Sequence, residues 1–157
     1  MTQLTSGWRS LLSLPKVYNL GVGLLGSKKA NYEIVYGYIK PKLKMRILDI
    51  GCGPASILKY LPQYVEYYGI DIDQRYIDAA REKYGDRAYF YCMPLESIYN
   101  KELSGFDLVM GLGVLHHLDD VNASAFFSFA AAAINDRGDA LQLIHAKSGT
   151  STSLLGG

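Results

Sequence analysis

Apolar positions along the chain change period repeatedly, and the changes predict helices and strands in alternation. Between 28 and 40, Ile34, Val35, Tyr38 and Ile39 fall at helical spacings, and Pro41, which lacks a backbone donor, stops the helix. Short apolar runs at 45–50, 67–72, 88–92, 107–110 and 140–144 read as five strands. The intervening segments 55–61, 73–84 and 121–134 read as helices. In the second of these, Asp73 is placed to cap the first turn and Gly85 to end the last. Tyr76, Ile77 and Ala80 make its inner face, while Arg75, Asp78, Arg81 and Glu82 look outward. The helix at 121–134 carries Phe126, Phe127 and Phe129 as core residues. Strands separated by crossover helices imply an α/β fold with a doubly wound, mostly parallel sheet. The chain divides into an N-terminal helical segment at 1–44, an α/β core at 45–145 and an irregular tail at 146–157.

Composition narrows the functional classes. At 157 residues and 49% hydrophobic content the chain suits one domain with its own core. A net charge of +1, without any block of lysine or arginine, gives no electrostatic case for nucleic acid. The two cysteines, Cys52 and Cys92, fall at predicted strand ends, which suits reduced thiols in a cytoplasmic protein. The N-terminus is apolar through Trp8, Leu11, Leu12, Leu14, Val17, Leu20, Val22, Leu24 and Leu25. Pro15, Asn19 and nearby glycines interrupt it well short of the roughly 18 apolar residues that a membrane span needs, and no cleavage signal follows. Tyr64, Tyr67, Tyr68, Tyr89, Tyr91 and Tyr99 are read as structural, with rings buried and hydroxyls in water.

The chemistry concentrates in LDIGCGP, Leu48 to Pro54, and in the GIDID run about 20 residues later. Gly51 and Gly53 let backbone approach a ligand at the end of a strand. Asp71, closing the next strand beside that loop, can accept hydrogen bonds from both hydroxyls of a ribose. A nucleoside follows. The dinucleotide fingerprint asks for a third glycine or alanine, and here the series runs Gly51, Gly53, Ser56, with Pro54 between. A nicotinamide-dependent oxidoreductase is therefore the weaker alternative.

LDIGCGP resembles, without a gap, the first motif of the class I S-adenosylmethionine-dependent methyltransferases, and Phe106-Asp107-Leu108-Val109 followed by GLGVLHHLDD resembles their fourth-strand motif. The resemblance covers roughly 46–139 and implies S-adenosylmethionine as cofactor and methyl transfer to a small molecule. By position it implies that Asp49 and the backbone of Gly51, Cys52 and Gly53 surround the methionine portion. Asp71 would hold the ribose, Ile72 would pack on the adenine, and Gly111 and Leu112 would pass under the amino acid end. In the family an acid ending the third strand often binds the adenine amino group; here that position is Pro94, leaving Met93 and Leu95 to sandwich the ring. The segment 1–44 is expected to cover the cofactor site.

Direct displacement from a sulfonium needs alignment and exclusion of water more than a fixed catalytic triad. His116 and His117, following the fourth strand, are the candidates for a general base. Together with Asp119 and Asp120 they do not have metal-ligand spacing, and the two acids are read as capping the next helix. No metal is expected. After Ile144 the periodicity ends, whereas the family adds two more strands. The expectation is a core lacking those strands, either as a natural short form or through a reading-frame slip near Ile144, with an exposed sheet edge that favours a homodimer. A cofactor-binding remnant without turnover is the second functional reading.

Overall fold

The computed structural model describes residues 28–94, 97, 103–112, 120–134 and 140–141. The described residues begin with α1 (Lys28–Tyr32), which continues as a wider, π-helical segment over Glu33–Ile39. Lys40 then takes a left-handed conformation and its N–H caps the Val35 carbonyl. The strands are β1 (Arg46–Ile50), β2 (Glu66–Asp71), β3 (Tyr89–Cys92), β4 (Leu108–Met110) and β5 (Ala140–Leu141). Two full helices join them, α2 (Gln74–Tyr84) between β2 and β3 and α3 (Asp120–Ala133) between β4 and β5.

All pairings are parallel and the sheet order is β3-β2-β1-β4-β5. The chain thus winds one way from β1 to β3 and the other way from β1 through β4 to β5. Strands covered on both faces read as near-continuous apolar runs, and β1 shows it: Ile47, Leu48, Asp49 and Ile50 are all buried. Leu48, Ile50, Ile70 and Val109 point to one face and pack with Phe126, Phe129, Ala130 and Ala133 of α3. Ile47, Tyr67, Phe90, Leu108 and Met110 point to the other and pack with Ile77 and Ala80 of α2 and with Ile34, Val35 and Ile39. The doubly wound expectation holds. The described part of the N-terminal segment is therefore a layer on one sheet face; residues 1–27 lie outside the described residues.

The sequence pattern placed α2 well. Asp73 accepts the Arg75 N–H at 2.9 Å, Gly85 ends the helix at φ 51°, and Ile77 and Ala80 are fully buried. Tyr76 is only half-buried. The expected helix at 55–61 is shorter, a single 3-10 turn at Ser56–Lys59. At the far end of the sheet Arg46 joins three strands. Its N–H donates to Asp107 Oδ2 at 2.8 Å, and its guanidinium donates to the carbonyls of Ser104 and Gly105, both at 3.0 Å. The same guanidinium lies over the rings of Tyr68 and Phe106.

Candidate functional site at the carboxyl edge of the sheet

Because every strand runs the same way, the ends of β1, β2, β3 and β4 share one edge. The winding reverses between β1 and β4, and the crevice outside such a reversal is where open α/β sheets take ligands. Gly51, Cys52 and Gly53 leave β1 at this edge, Asp71 and Ile72 leave β2, Met93 and Pro94 leave β3, and Gly111 and Leu112 leave β4. Leu95, His116, His117 and Asp119 lie outside the described residues.

The loop after β1 turns through left-handed residues, Gly51 at φ 71°, Gly53 at φ 54° and Ala55 at φ 54°. For an alanine that conformation costs on the order of 1 kcal/mol, and here the Ala55 N–H donates to the Cys52 carbonyl at 3.0 Å. The N–H groups of Gly51 and Cys52 both donate to the Ile70 carbonyl, at 2.8 and 3.0 Å. The Gly53 N–H donates to Asp71 Oδ2 at 2.8 Å, and Pro54 has no donor. A pyrophosphate would need free loop donors and a helix N-terminus. This loop has committed its donors internally and leads into a single 3-10 turn. A dinucleotide seat is therefore poorly served.

The site offers acceptors instead. Asp71 is buried, with Oδ2 on Gly53 and Oδ1 accepting the Asp73 N–H at 2.9 Å. Each carboxylate oxygen has two acceptor positions, so both retain capacity for a hydroxyl donor. Burial pushes its pKa up, opposed by these backbone N–H groups. Asp49 is 1% exposed, and only its Oδ2 is bonded, accepting the Tyr67 hydroxyl at 2.5 Å. Its Oδ1 is buried without a partner. Desolvation raises the Asp49 pKa to about 7; the Tyr67 bond pulls it down and the Asp71 charge pushes it up. A buried acid with one open oxygen suits a cationic or donor-rich ligand.

Around the acids the lining is apolar and close. Met93 is buried, and its N–H donates to the Asp71 carbonyl at 3.0 Å, fixing the exit of β3 beside that of β2. Ile72 is half-buried against the α3 face, and Leu112 packs on the opposite face. Pro94 is half-buried, with its carbonyl accepting the Ser97 N–H at 3.1 Å. A Cβ on buried Gly111 would sit 3.0 Å from Phe126 Cζ, so α3 presses on the start of that loop. Cys52 fills the turn: its thiol donates to the Gly53 carbonyl at 3.3 Å, and burial beside Asp49 and Asp71 pushes its pKa well up. That is an inert thiol. Both cysteines are free.

One residue of the site was not singled out as functional from the sequence. Tyr67, read there as structural with its hydroxyl in water, is fully buried and bonds Asp49. The signal was available as Tyr67-x-Gly69-x-Asp71, three residues on one face of β2 whose middle member has no side chain. Among the described residues no three potential metal ligands cluster, and no helix is long and apolar enough to cross a membrane.

A search of curated protein sequences finds no match. Among solved structures, a TehB-like SAM-dependent methyltransferase from Corynebacterium glutamicum superposes with a TM-score of 0.60 at 21% identity, over 82% of this chain and 70% of that one. Magnesium protoporphyrin IX methyltransferase from Synechocystis PCC 6803, with bound SAH, gives a TM-score of 0.55 at 25% identity, over 82% of this chain and 62% of that one. The [4+2]-cyclase SpnF gives 0.62 at 17% identity, over 73% of this chain and 44% of that one. The chain thus spans from under half to about 70% of these proteins' lengths, and the likenesses under 25% identity establish the fold alone. The family profile described as a methyltransferase domain matches residues 47–138, well over half of the 157 and including both glycine loops and all the described acids of the site. By that match, and with a sheet and an acceptor-lined edge that suit it, the chain belongs to the methyltransferase domain family.

Proposed function

We propose that this chain binds S-adenosylmethionine at the β1–β4 crevice and transfers its methyl group to a small-molecule acceptor. One observation carries the reading: two buried carboxylates, one with an open oxygen, stand beside a loop whose N–H groups are already used. Such an edge takes ligand donors and repels phosphates. When bound, the cofactor would supply an electrophilic methyl carbon on a sulfonium, open to in-line displacement by the acceptor with the C–S electron pair left on sulfur. Asp49 would hold the ammonium of the methionine portion and Asp71 the ribose hydroxyls. Gly51 and Gly53, both at positive φ, would let the loop backbone approach the ligand. Ile72, Met93 and Pro94 would offer apolar surface to the adenine, and the sequence assigns Leu95, outside the described residues, to the same role. His116 or His117 would take a proton from an alcohol, phenol or carbon acid; an amine acceptor needs only to be deprotonated first. We also propose a cytoplasmic location, which the free thiols of Cys52 and Cys92 support.

A second reading, binding without turnover, is favoured by Pro94, which offers the adenine amino group no side-chain acceptor. The [4+2]-cyclase on this fold supports keeping activity separate from architecture. Calorimetry with S-adenosylhomocysteine against NAD tests the site, and release of labelled methyl onto a panel of small acceptors tests turnover. Binding of the first ligand with transfer to any acceptor is the expected outcome. Binding without transfer selects the second reading, and preference for NAD defeats both.

A further inference from the structure

We infer that Tyr67 is a positioning residue of the cofactor site: its hydroxyl, carried along β2 past Gly69, holds one oxygen of Asp49 and leaves the other open to the ligand's ammonium. The inference rests on the cofactor reading given above.

The register explains the reach. Ile47 pairs with Tyr67 and Asp49 with Gly69, so Tyr67 starts one pleat behind the acid and its ring must run along the strand to meet it. Gly69 keeps that path open. A Cβ there would lie 2.8 Å from Cys52 Sγ, 3.0 Å from Phe90 Cδ1 and 3.1 Å from Tyr67 Cε1. Tyrosine in a sheet ordinarily keeps its hydroxyl wet, and this one is 0% exposed. Two buried polar groups are a costly way to fill a core that two apolar side chains would pack as well. The geometry makes better sense as a means of aiming a carboxylate, since the bond at Oδ2 fixes the side chain and leaves Oδ1 unpartnered.

The surroundings of Asp49 add few other charges. From β2 the titratable groups are Tyr67 and Asp71, and from the loop Cys52, whose thiol stays protonated. β4 opposes Asp49 with Met110, which is apolar. α2 brings Tyr84 into range of Tyr67, and the N-terminal layer contributes Ile34, Val35, Ile39 and the uncharged Asn31. Tyr67 is thus the one hydrogen-bond donor that the described structure gives the Asp49 carboxylate. Without it the acid has no such bond to favour its charged form, and protonation would remove its hold on an ammonium.

The test is calorimetry of S-adenosylhomocysteine from about pH 5.5 to about pH 8.5 on the whole chain, with a ¹³C titration of the Asp49 carboxyl in the free protein. Wild type should bind more tightly as Asp49 ionises. Tyr67→Phe should weaken binding about fivefold near pH 7, move both midpoints up by about one unit, and recover toward wild type at the alkaline end. Recovery with pH is what a merely structural role would not give. Asp49→Asn should bind weakly with no dependence on this ionisation. If Tyr67→Phe does not fold, Gly69→Ala, which displaces the ring, should move the midpoints the same way. A Tyr67→Phe profile superimposable on wild type overturns the role of Tyr67 and leaves the cofactor reading intact. No binding to wild type at any pH overturns both.

Discussion

Asp49 couples the site to stability through its proton. Its folded pKa of about 7 lies above its ordinary value of 3.8, so between those limits the native state holds a proton that the unfolded chain has released. Stability is therefore greatest below about pH 4 as far as this group is concerned, and declines as pH rises through about 7. The raised pKa of Asp71 acts in the same direction. Asp73, held below its ordinary value by Arg75, acts oppositely and only as pH falls through its own range. Asp49→Asn keeps an oxygen for Tyr67 and removes the ionisation. Urea unfolding at about pH 5 and about pH 8 should show wild type losing at most about 3 kcal/mol through this group, and the variant losing clearly less. Pro94 bears on affinity instead. Pro94→Asp should tighten binding of S-adenosylhomocysteine about tenfold in calorimetry, by giving the adenine amino group a charged acceptor; an unchanged constant would sever this position from adenine.

Among the elements, those with chemical punctuation were legible in the sequence. α2 begins at a side-chain cap and ends at a glycine with φ 51°, and its bounds follow from Asp73 and Gly85. The segment after the glycine loop had only an apolar pattern. Ile57, Leu58 and Leu61 are buried as that pattern requires, yet one 3-10 turn is enough to bury them, because Ala55 in the left-handed region and Pro62 bracket the segment. Periodicity likewise does not separate an α-helix from the wider π-helical segment at Glu33–Ile39, since Ile34, Val35 and Ile39 face inward in either. The reach of Tyr67 was hidden for a related reason. Alternation assigns a side chain to a face of a strand, not to a partner further along it. Contacts between elements also set the cost of change at the site. Gly111→Ala would press a methyl against Phe126, 3.0 Å from Cζ and 3.3 Å from Cε2. It should destabilise by about 1–3 kcal/mol in urea, and pairing it with Phe126→Leu should restore part of that loss in a double-mutant cycle.

At the scale of the molecule, a ligand that binds only the native state raises its stability. S-adenosylhomocysteine at 100 times its dissociation constant should add about 2.7 kcal/mol, which for a chain of this size is a rise in Tm of roughly 5–10 °C. Calorimetric scans with and without it measure this, and a flat result would remove the cofactor site. The match of fold and family was readable because two separated motifs and a parallel alternation point the same way, whereas residues such as His116 and His117 lie outside the described residues and keep their role as a proposal. Arg46 and the glycine loop hold opposite ends of the same strand. At the loop end, the bonds from Gly51 and Cys52 to Ile70 and from Gly53 to Asp71 are already made in the free chain. The arriving ligand thus has little backbone freedom to quench, and its binding entropy should be governed by the water it displaces from the apolar rim.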